Sequence, residues 1–415
     1  MDSKNFIQQW VICMQRIILH LDMNSYFASV EQQANPFFRN KPLGVCAYLS
    51  PNGCIIASSL EAKKVGIKTG CRVKEAKKLY PRVILIENDP DKYRTVTKKF
   101  FKIMGGYSGS FEPYSIDEAF LDLTGWVKSF DQAWLLAAEI HQRISSDIGS
   151  WLRCSIGISF TKFLAKFGSD IADAGATLVI PSKDILDDLY LNHQLTDLWG
   201  INLRLEKRLN NLGIWSILDL KNASVQLLLQ AFGKYGYWLH AHVNGVEVDH
   251  LRSSAELWSK SIGHSYCLPK QTTDKKYLLA ILYKLTAKVG ERLRERNQTA
   301  MGVYIHWSCI SRLCYGKSFK LKKPVASTDD IFTKAHQVLH QAILKDKVKM
   351  LVVGVFNLSE PSKQLGLFGS LANMELAEAL DKINHRYHSQ MIYRGRMWKT
   401  ESLAKDRIGF RKVGL

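Results

Sequence analysis

Two adjacent carboxylates, Asp117 and Glu118, interrupt the apolar run of residues 115–125 (SIDEAFLDLTG), where an acid pair costs stability unless it serves a purpose. Hard divalent cations are bound by carboxylate oxygens, and one further acid would complete a two-ion site for phosphoryl transfer. Asp22 is the candidate, since it closes a second apolar run at residues 17–21. The three acids together predict a metal site assembled from distant parts of the chain.

The strand that carries the acid pair has to bend. Adjacent residues on a regular strand point to opposite faces, so Asp117 and Glu118 can share one site only if the strand begins or bends there. We therefore predict a turn immediately before Asp117, near residues 113–115, with Leu121 and Leu123 anchoring the strand behind it. Strands and helices alternate around the acids, which predicts one α/β sheet that brings them together.

Hydrophobic periodicity divides the rest of the chain into lobes. Residues 42–88 predict a small α+β lobe, and residues 185–248 predict an all-helical region. From residue 259 onward, the order strand, helix, strand, strand, helix, strand predicts a compact sheet with two helices on one side. Two inward faces are predicted in detail: Met301, Val303, Ile305 and Trp307 on the second strand of that sheet, and Trp134, Leu135, Ala138, Ile140 and Ile144 on a helix over residues 131–148.

Composition favours a large protein with a polyanionic partner. The length of 415 residues suggests two to four domains. Lys and Arg number 57 against 38 Asp and Glu, and residues 251–350 alone carry 19 against 7, so that block is the candidate clamp on a phosphate backbone. No apolar run approaches the ~18 residues of a spanning helix, which predicts a cytoplasmic protein, at the nucleoid when on DNA, without a membrane partner. The eight cysteines form no CxxC pair and predict reduced, buried thiols.

Four segments in this order and spacing resemble the motifs of the Y-family, or translesion, DNA polymerases: residues 22–31 (DMNSYFASVE), 61–64 (EAKK), 114–119 (YSIDEA), and 157–159 (GIS) with Lys162 and Lys166. The resemblance covers residues 16 to about 360 and implies an α+β multidomain fold of the right-hand polymerase type. The implied parts are an α/β palm (16–25 and 91–180), small fingers (26–90), a helical thumb (181–248), a linker (249–258), a βαββαβ little finger (259–360) and a C-terminal tail (361–415).

The resemblance also implies roles for the acids. Asp22 and Asp117 would hold both of two Mg²⁺ ions, Glu118 the ion at the primer 3′-hydroxyl, and the Met23 carbonyl the nucleotide's ion. Phe27 would be the steric gate, an aromatic face against the sugar C2′ that leaves no room for a 2′-hydroxyl. Without its spacing from Asp22, a core aromatic on a helix would be the better interpretation of Phe27. The residues implied to bind the incoming dNTP are Asn24, Ser25, Tyr26, Phe27, Lys63 and Lys166.

Some positions depart from the common family pattern. Leu60 and Lys63 stand where many members have Tyr and Arg, and Lys lacks the two-pronged grip of Arg on phosphate. Ala57 stands where polymerase IV-like members usually have Thr. With the tail segment 383–387 (INHRY), these departures resemble the UmuC branch, the catalytic subunit of bacterial polymerase V. That branch implies a UmuD-like accessory dimer and activation by a RecA filament.

Primer-template DNA has two predicted contact regions. Gly200 and Asn202 lie in a turn typical of a helix-hairpin-helix, whose backbone N–H groups bind phosphate, although an ordinary helical hairpin fits equally. Asn202 stands where the motif usually has a second Gly, but Asn tolerates positive φ better than most residues. In the basic block, four lysines beside outward-facing aromatic side chains favour nucleic acid over a merely soluble surface. They are Lys317, Lys320, Lys322 and Lys323.

Residues 364–368 (QLGLF) match the Q-L-x-L-F peptide that binds the sliding clamp, through Gln364, Leu365, Leu367 and Phe368. The same peptide could instead pack onto its own domain. The leading interpretation is an error-prone polymerase for translesion synthesis in SOS damage tolerance. Three alternatives stay open: a polymerase IV-like enzyme that acts without accessory subunits, a two-metal nuclease or nucleotidyl cyclase, and a catalytically silent DNA-binding scaffold.

Overall fold

The computed structural model describes residues 16–252, 260–311, 313–361, 371–387 and 391–397. These residues form two compact units, one up to residue 252 and one from residue 260, so the break falls in the predicted linker. The strands of the first unit are β1 (Ile18–Met23), β2 (Leu43–Cys46), β3 (Ile55–Ser58), β4 (Ile84–Glu87), β5 (Phe111–Pro113), β6 (Glu118–Asp122), β7 (Cys154–Ser159) and β8 (Thr177–Ile180). Its helices are α1 (Tyr26–Ala34), α2 (Leu60–Lys64), α3 (Val73–Leu79), α4 (Pro90–Met104), α5 (Phe130–Asp147), α6 (Lys162–Ile171), α7 (Leu186–Leu191), α8 (Leu203–Asn210), α9 (Ile217–Asn222), α10 (Val225–Phe232) and α11 (Lys234–Val243).

Five strands of the first unit form a mixed sheet in the order β5-β6-β1-β7-β8. The central strand β1 runs antiparallel to both β6 and β7, while β7 and β8 are parallel. One face of the sheet packs on α1, α4 and α5, where Leu19, Leu21, Leu121 and Ile140 are fully buried. This sheet carries all three predicted acids at or beside its strands, as the alternation of strands and helices predicted.

Helix α6 covers the opposite face of this sheet at very short range. A Cβ atom added to Gly157 on β7 would lie 2.0 Å from the backbone oxygen of Ala165, so only glycine lets the helix come this close. On the helix side, a Cβ atom on Gly168 would lie 3.3 Å from the Gly157 Cα. The outer side of α6, with Phe163 and Phe167, packs into the core of the helical region formed by α7 to α11.

The small lobe predicted over residues 42–88 has its own three-stranded sheet, in the order β3-β2-β4. Strand β2 is antiparallel to β3 and parallel to β4, and α2 and α3 share a separate apolar core with this sheet around Ile55, Ala62 and Ala76. The lobe therefore presents its strand β3 and the start of α2 as one rigid piece.

The second unit follows the predicted order, with a further helix after the sheet. Its elements are β9 (Ser261–Thr272), α12 (Lys275–Glu295), β10 (Thr299–Cys309), β11 (Cys314–Val325), α13 (Thr328–Gln341), β12 (Val348–Ser359) and α14 (Leu371–Tyr387). The four strands are antiparallel in the order β11-β10-β12-β9, which leaves β11 at an edge. Helices α12 and α13 share one core with one face of this sheet.

The predicted inward face of α5 was partly wrong. Ala133 and Ala137 occupy that face, since small side chains allow the helix to approach the sheet closely. The two isoleucines of the prediction are buried as expected. The residues wrongly predicted to face inward are Trp134, Leu135 and Ala138, all of which are exposed.

The alternation along β10 was correct except at its start. Val303, Ile305 and Trp307 are buried against the helices as predicted. Met301 is only half-buried, because the pairing with β11 is irregular between Ala300 and Gly302 and brings Ala300 into the core instead.

The thiols and the hydropathy of the helices can also be compared with expectation. The seven cysteines in the described part of the chain are all free. Cys46, Cys154 and Cys309 are buried as predicted, whereas Cys267 and Cys314 are exposed because they lie on the outer strands of the second sheet. None of the described helices is both long and apolar enough to cross a membrane.

Candidate active site

A cavity of about 300 Å³ lies where β1 ends and β6 begins. It brings together the three predicted acids, the predicted gate residue and one predicted lysine, contributed by both faces of the sheet and by the small lobe. The lining residues are Asp22, Tyr26, Phe27, Ile56, Ala57, Ser115, Ile116, Asp117, Glu118 and Lys166.

The acids are placed by strand register and by one turn. Asp22 on β1 is directly opposite Glu118 on β6, so their side chains share one face of the sheet. Asp117 lies outside the strand, in a turn closed by two backbone hydrogen bonds in which Tyr114 N–H and Ser115 N–H donate to the Glu118 carbonyl, at 3.0 and 3.1 Å. The bend predicted immediately before Asp117 is therefore present.

Two further contacts fix this turn. The Met23 N–H donates to the Asp117 carbonyl at 2.9 Å, and the Ser115 hydroxyl donates to the Asp117 carboxylate. Leu121 and Leu123 are fully buried behind the turn and anchor β6 as predicted. The adjacent acids thus reach one cavity by different means, Asp117 from the turn and Glu118 from the strand.

Lys166 on α6 lies among carboxylates. Its Nζ atom is 2.8 Å from Glu118 Oε2, 3.8 Å from Asp22 Oδ2 and 3.1 Å from Asp170 Oδ1. Burial favours the neutral amine, but the Glu118, Asp170 and Asp22 charges outweigh it and raise the pKa of Lys166. The lysine is therefore a fixed cation beside the acids.

The carboxylates differ in their affinity for protons. Burial raises the pKa of Asp22, as do the neighbouring Asp117 and Glu118 charges, while Lys166 acts in the opposite sense. Burial also raises the pKa of Asp117, against the hydrogen bond from Ser115. For Glu118, burial is outweighed by hydrogen bonds from His20 and Lys166, which lower its pKa to about 2. Crowded carboxylates of this kind gain most from an added cation.

His20 is a site residue that the sequence reasoning missed. Its ring is completely buried, and burial is the main reason why its pKa is lowered to about 4. The Nε2 atom lies 3.2 Å from Glu118 Oε2, and the Nδ1 atom lies 2.6 Å from the Ser169 hydroxyl on α6. The available signal was a histidine inside an apolar strand, two residues before Asp22 and hence on the same face.

The segment after Asp22 divides into structural residues and cavity residues. The Asn24 amide bonds Ser155 Oγ at 2.9 Å and the Gly175 N–H at 3.0 Å, so this side chain ties loops together. Tyr26 lines the cavity, but its hydroxyl is buried and donates to the Tyr93 carbonyl at 2.8 Å. Neither side chain has a polar group left for a nucleotide among these contacts.

Ser25 and Phe27 keep a free face. Ser25 has φ of 50°, a strained value for a non-glycine residue, and its buried hydroxyl has no hydrogen-bond partner within the described ranges. Phe27 lines the cavity while its ring stacks on Tyr93, with centroids 4.4 Å apart. The core interpretation and the gate interpretation of Phe27 are thus compatible, because Tyr93 fixes the ring that the cavity exposes.

Two other predicted contact residues lie elsewhere in the first unit. Lys63 is exposed on α2 and does not line the cavity. Gly200 has φ of +93°, as a tight turn requires. Asn202 has φ of −104° and caps α8, where its side chain accepts from Arg204 and Leu205 N–H at 3.0 Å each. The predicted positive φ at Asn202 was wrong, and two of the N–H groups at this helix start are already bonded.

The four lysines of the basic block are all exposed on the edge strand β11. They do not share one face. Lys317 is opposite Ile305, which points to the helices, whereas Lys320 is opposite Gly302 on the other face of the sheet. The clamp peptide with Gln364, Leu365, Leu367 and Phe368 lies outside the described residues.

Known proteins resemble this chain over most of its length. The profile of the impB/mucB/samB family matches residues 21–170, and that of the family's C-terminal domain matches residues 259–367. DNA polymerase IV 1 of Halalkalibacterium halodurans is 31% identical over 92% of this chain and 93% of its own length. DNA polymerase IV 1 of Bacillus subtilis is 30% identical over 96% of this chain and 97% of its own length. A solved Y-family DNA polymerase chimera of Dbh and Dpo4 superposes with a TM-score of 0.75 at 25% identity, covering 83% of this chain and all of the chimera. The chain belongs to the Y-family of DNA polymerases.

The site of this polymerase fits divalent metal ions. Three carboxylates line one cavity, and the single lysine that also lines it cannot balance their charge. Hard oxygen ligands of this type are the donor set that Mg²⁺ prefers. Asp22, Asp117 and Glu118 are therefore suitable to hold such ions, with Lys166 beside them.

Proposed function

We propose that this Y-family polymerase performs template-directed translesion synthesis by two-metal-ion nucleotidyl transfer at Asp22, Asp117 and Glu118. The observation that carries the proposal is the meeting of these acids in one cavity with Phe27 and Lys166. Two bound Mg²⁺ ions would stabilise the attacking and leaving oxygens at the α-phosphate of the incoming dNTP. Asp22 and Asp117 would hold both ions, with the Met23 carbonyl as a further ligand.

The chain's own residues would orient the reactants around these ions. Glu118 is fixed by Lys166 and faces the position proposed for the primer 3′-hydroxyl. Lys166 is the cation nearest to the acids and would meet the triphosphate, with Lys63 contributing from the small lobe. The unpartnered Ser25 hydroxyl supports a nucleotide contact at the start of α1. Phe27, fixed by Tyr93, would close the space next to the sugar C2′.

Primer extension tests the mechanism directly. Asp117→Asn keeps the size of the side chain but removes its charge, and we expect nucleotide addition to fall at least ~1000-fold with DNA binding unchanged. The matched control is Asp122→Asn, since Asp122 is on the same strand but does not line the cavity. Full activity of Asp117→Asn would refute the mechanism. Strand cutting or a cyclic product without a primer would instead indicate the nuclease or cyclase alternative.

We propose polymerase IV-like action without accessory subunits. The relatives that cover more than nine-tenths of this chain are named DNA polymerase IV, and this favours the alternative over the UmuC branch. A UmuD-like dimer and a RecA filament are therefore not expected as partners. Primer extension across a damaged template base, with and without both, decides between the branches. A gain of more than ~10-fold on their addition would restore the UmuC assignment.

We further propose that the Gln364 to Phe368 peptide binds the sliding clamp, and that this DNA-bound enzyme works in the cytoplasm at the nucleoid. The support is the match of the sequence to the Q-L-x-L-F pattern. Changing Leu367 and Phe368 to Ala should abolish stimulation by the clamp and leave basal synthesis intact. Ile343→Ala is a control, because Ile343 is an exposed apolar residue of the second unit. An equal loss of both activities would indicate a role in folding instead.

A further inference from the structure

His20 joins the catalytic face of the sheet to helix α6. Its ring packs on Phe120, the residue opposite it on β6, with centroids 4.3 Å apart. Its two nitrogen atoms face two different polar groups, the Glu118 carboxylate at 3.2 Å and the Ser169 hydroxyl at 2.6 Å. A buried histidine that served only packing would not require polar partners at both nitrogens.

The chemistry of the two partners assigns the proton on the ring. An ionised carboxylate can only accept, so the Nε2 atom that faces Glu118 has to be the donor. A neutral imidazole has one N–H, which leaves Nδ1 as an acceptor for the Ser169 hydroxyl. Ser169 also lies 2.8 Å from the Lys166 carbonyl, but its contact with His20 is the shorter one. Ser169 thus selects the tautomer that can donate to Glu118.

Both donors of Glu118 act on the same oxygen. His20 Nε2 and Lys166 Nζ both approach Oε2, at 3.2 and 2.8 Å. Two donors on one carboxylate oxygen fix the rotation of the group and leave the other oxygen, Oε1, for a different partner. Glu118 lines the cavity, so that partner can be an ion in the cavity.

We propose that His20 is a positioning residue, which with Ser169 holds the Glu118 carboxylate so that Oε1 is presented to a divalent cation. The inference rests on the proposed metal-binding role of Glu118. Groups that orient a ligand of a metal in this way typically change metal affinity or activity ~10–100-fold when they are removed. The effect should be larger on metal binding and on the chemical step than on the affinity for dNTP.

Three variants of the full chain test the proposal. His20→Leu removes both polar contacts, His20→Gln keeps an N–H near the Nε2 position, and Ser169→Ala leaves the ring but removes the group that selects its tautomer. The probe is Mn²⁺ alone, titrated by electron paramagnetic resonance without DNA or nucleotide, beside single-turnover nucleotide addition. His141→Leu is the control, since His141 is a palm histidine whose ring bonds Thr177 at 3.0 Å and does not line the cavity.

We expect His20→Leu to weaken Mn²⁺ binding and to slow nucleotide addition ~10–100-fold, with the apparent dNTP dissociation constant within ~2-fold of wild type. His20→Gln should recover most of the loss, and His141→Leu should change neither quantity. Wild-type Mn²⁺ affinity in a folded His20→Leu protein would overturn the proposal, as would a Gln variant as poor as the Leu variant.

Folding failure does not protect the proposal. If His20→Leu does not fold, Ser169→Ala decides, and unchanged Mn²⁺ affinity in that variant overturns it. The proposed function fails separately, because it is lost only if Asp117→Asn still adds nucleotides. An inactive Asp117→Asn together with a fully active His20→Leu would reject the positioning role alone.

Discussion

Gly157 offers a test of how the sheet holds α6 and, through α6, the acid cluster. A Cβ atom there would lie 2.0 Å from the Ala165 carbonyl oxygen and 2.4 Å from the Ser169 nitrogen, which are both backbone atoms of α6. Contacts below 3.0 Å do not persist, so Gly157→Ala has to displace the helix or the strand by about 1 Å. Lys166 would then move from 2.8 Å to about 3.8 Å from Glu118 Oε2, beyond hydrogen-bond reach.

The expected loss of stability is large. Overpacking a close-packed interior costs about 1–3 kcal/mol when side chains can adjust, and here the obstructing atoms are backbone. We therefore expect a loss of about 3 kcal/mol or more for Gly157→Ala. For a unit of this size that corresponds to a fall in the unfolding midpoint of about 6–12 °C. Nucleotide addition should fall as well, because Lys166 and Ser169 move with the helix.

Two other glycines provide graded controls in the same unit. At Gly109 the nearest atom to an added Cβ is a Trp126 ring carbon at 4.0 Å, so Gly109→Ala should be neutral. At Gly168 the nearest atom is 3.3 Å away, and the helix propensity gained by Ala, about 0.5–1 kcal/mol, offsets that tightness. Thermal unfolding followed by circular dichroism measures all three variants. A midpoint for Gly157→Ala within about 2 °C of wild type would refute the reasoning.

Three further variants test separate parts of the molecule. Phe27→Ala should admit ribonucleotides, measured as the ratio of ribonucleotide to deoxyribonucleotide kcat/KM, and unchanged discrimination would reject the gate. Glu112→Ala leaves its partner Lys162 buried and unpaired, which should cost about 3–5 kcal/mol in chemical denaturation, and changing Lys162 to Met as well should recover part of it. Lys320→Gln should lower the slope of log Kd against log salt for DNA by about 1, whereas Lys317→Gln, on the other face, should not; equal slopes would reject a DNA-binding face.

The sequence could predict the acid site because its rules are local. The period of two along a strand places Asp22 and Glu118 on defined faces, and the same period requires the bend before Asp117. Both features are present in the structure. No comparable rule placed His20, because its role arises only where β1, β6 and α6 meet, and the polar partner Ser169 is far away in the chain.

Tertiary packing also explains the errors. The apolar residues of α5 do not lie on one face, so periodicity alone could not choose between the tryptophan side and the alanine side of the helix. Packing chose Ala133 and Ala137, since small side chains permit a close approach. At Met301 a local irregularity in strand pairing changed the phase of the alternation, which hydrophobicity along one strand cannot reveal.

Helix α6 links the chemistry of this polymerase to its fold. From one side it supplies Lys166 to the acids and Ser169 to His20, and from the other it packs into the core of the helical region. Its distance from the sheet is set by Gly157, which is not a cavity residue. The charge balance of the acids therefore depends on a backbone contact behind them, so a substitution that never touches a nucleotide can still change how the carboxylates bind a cation.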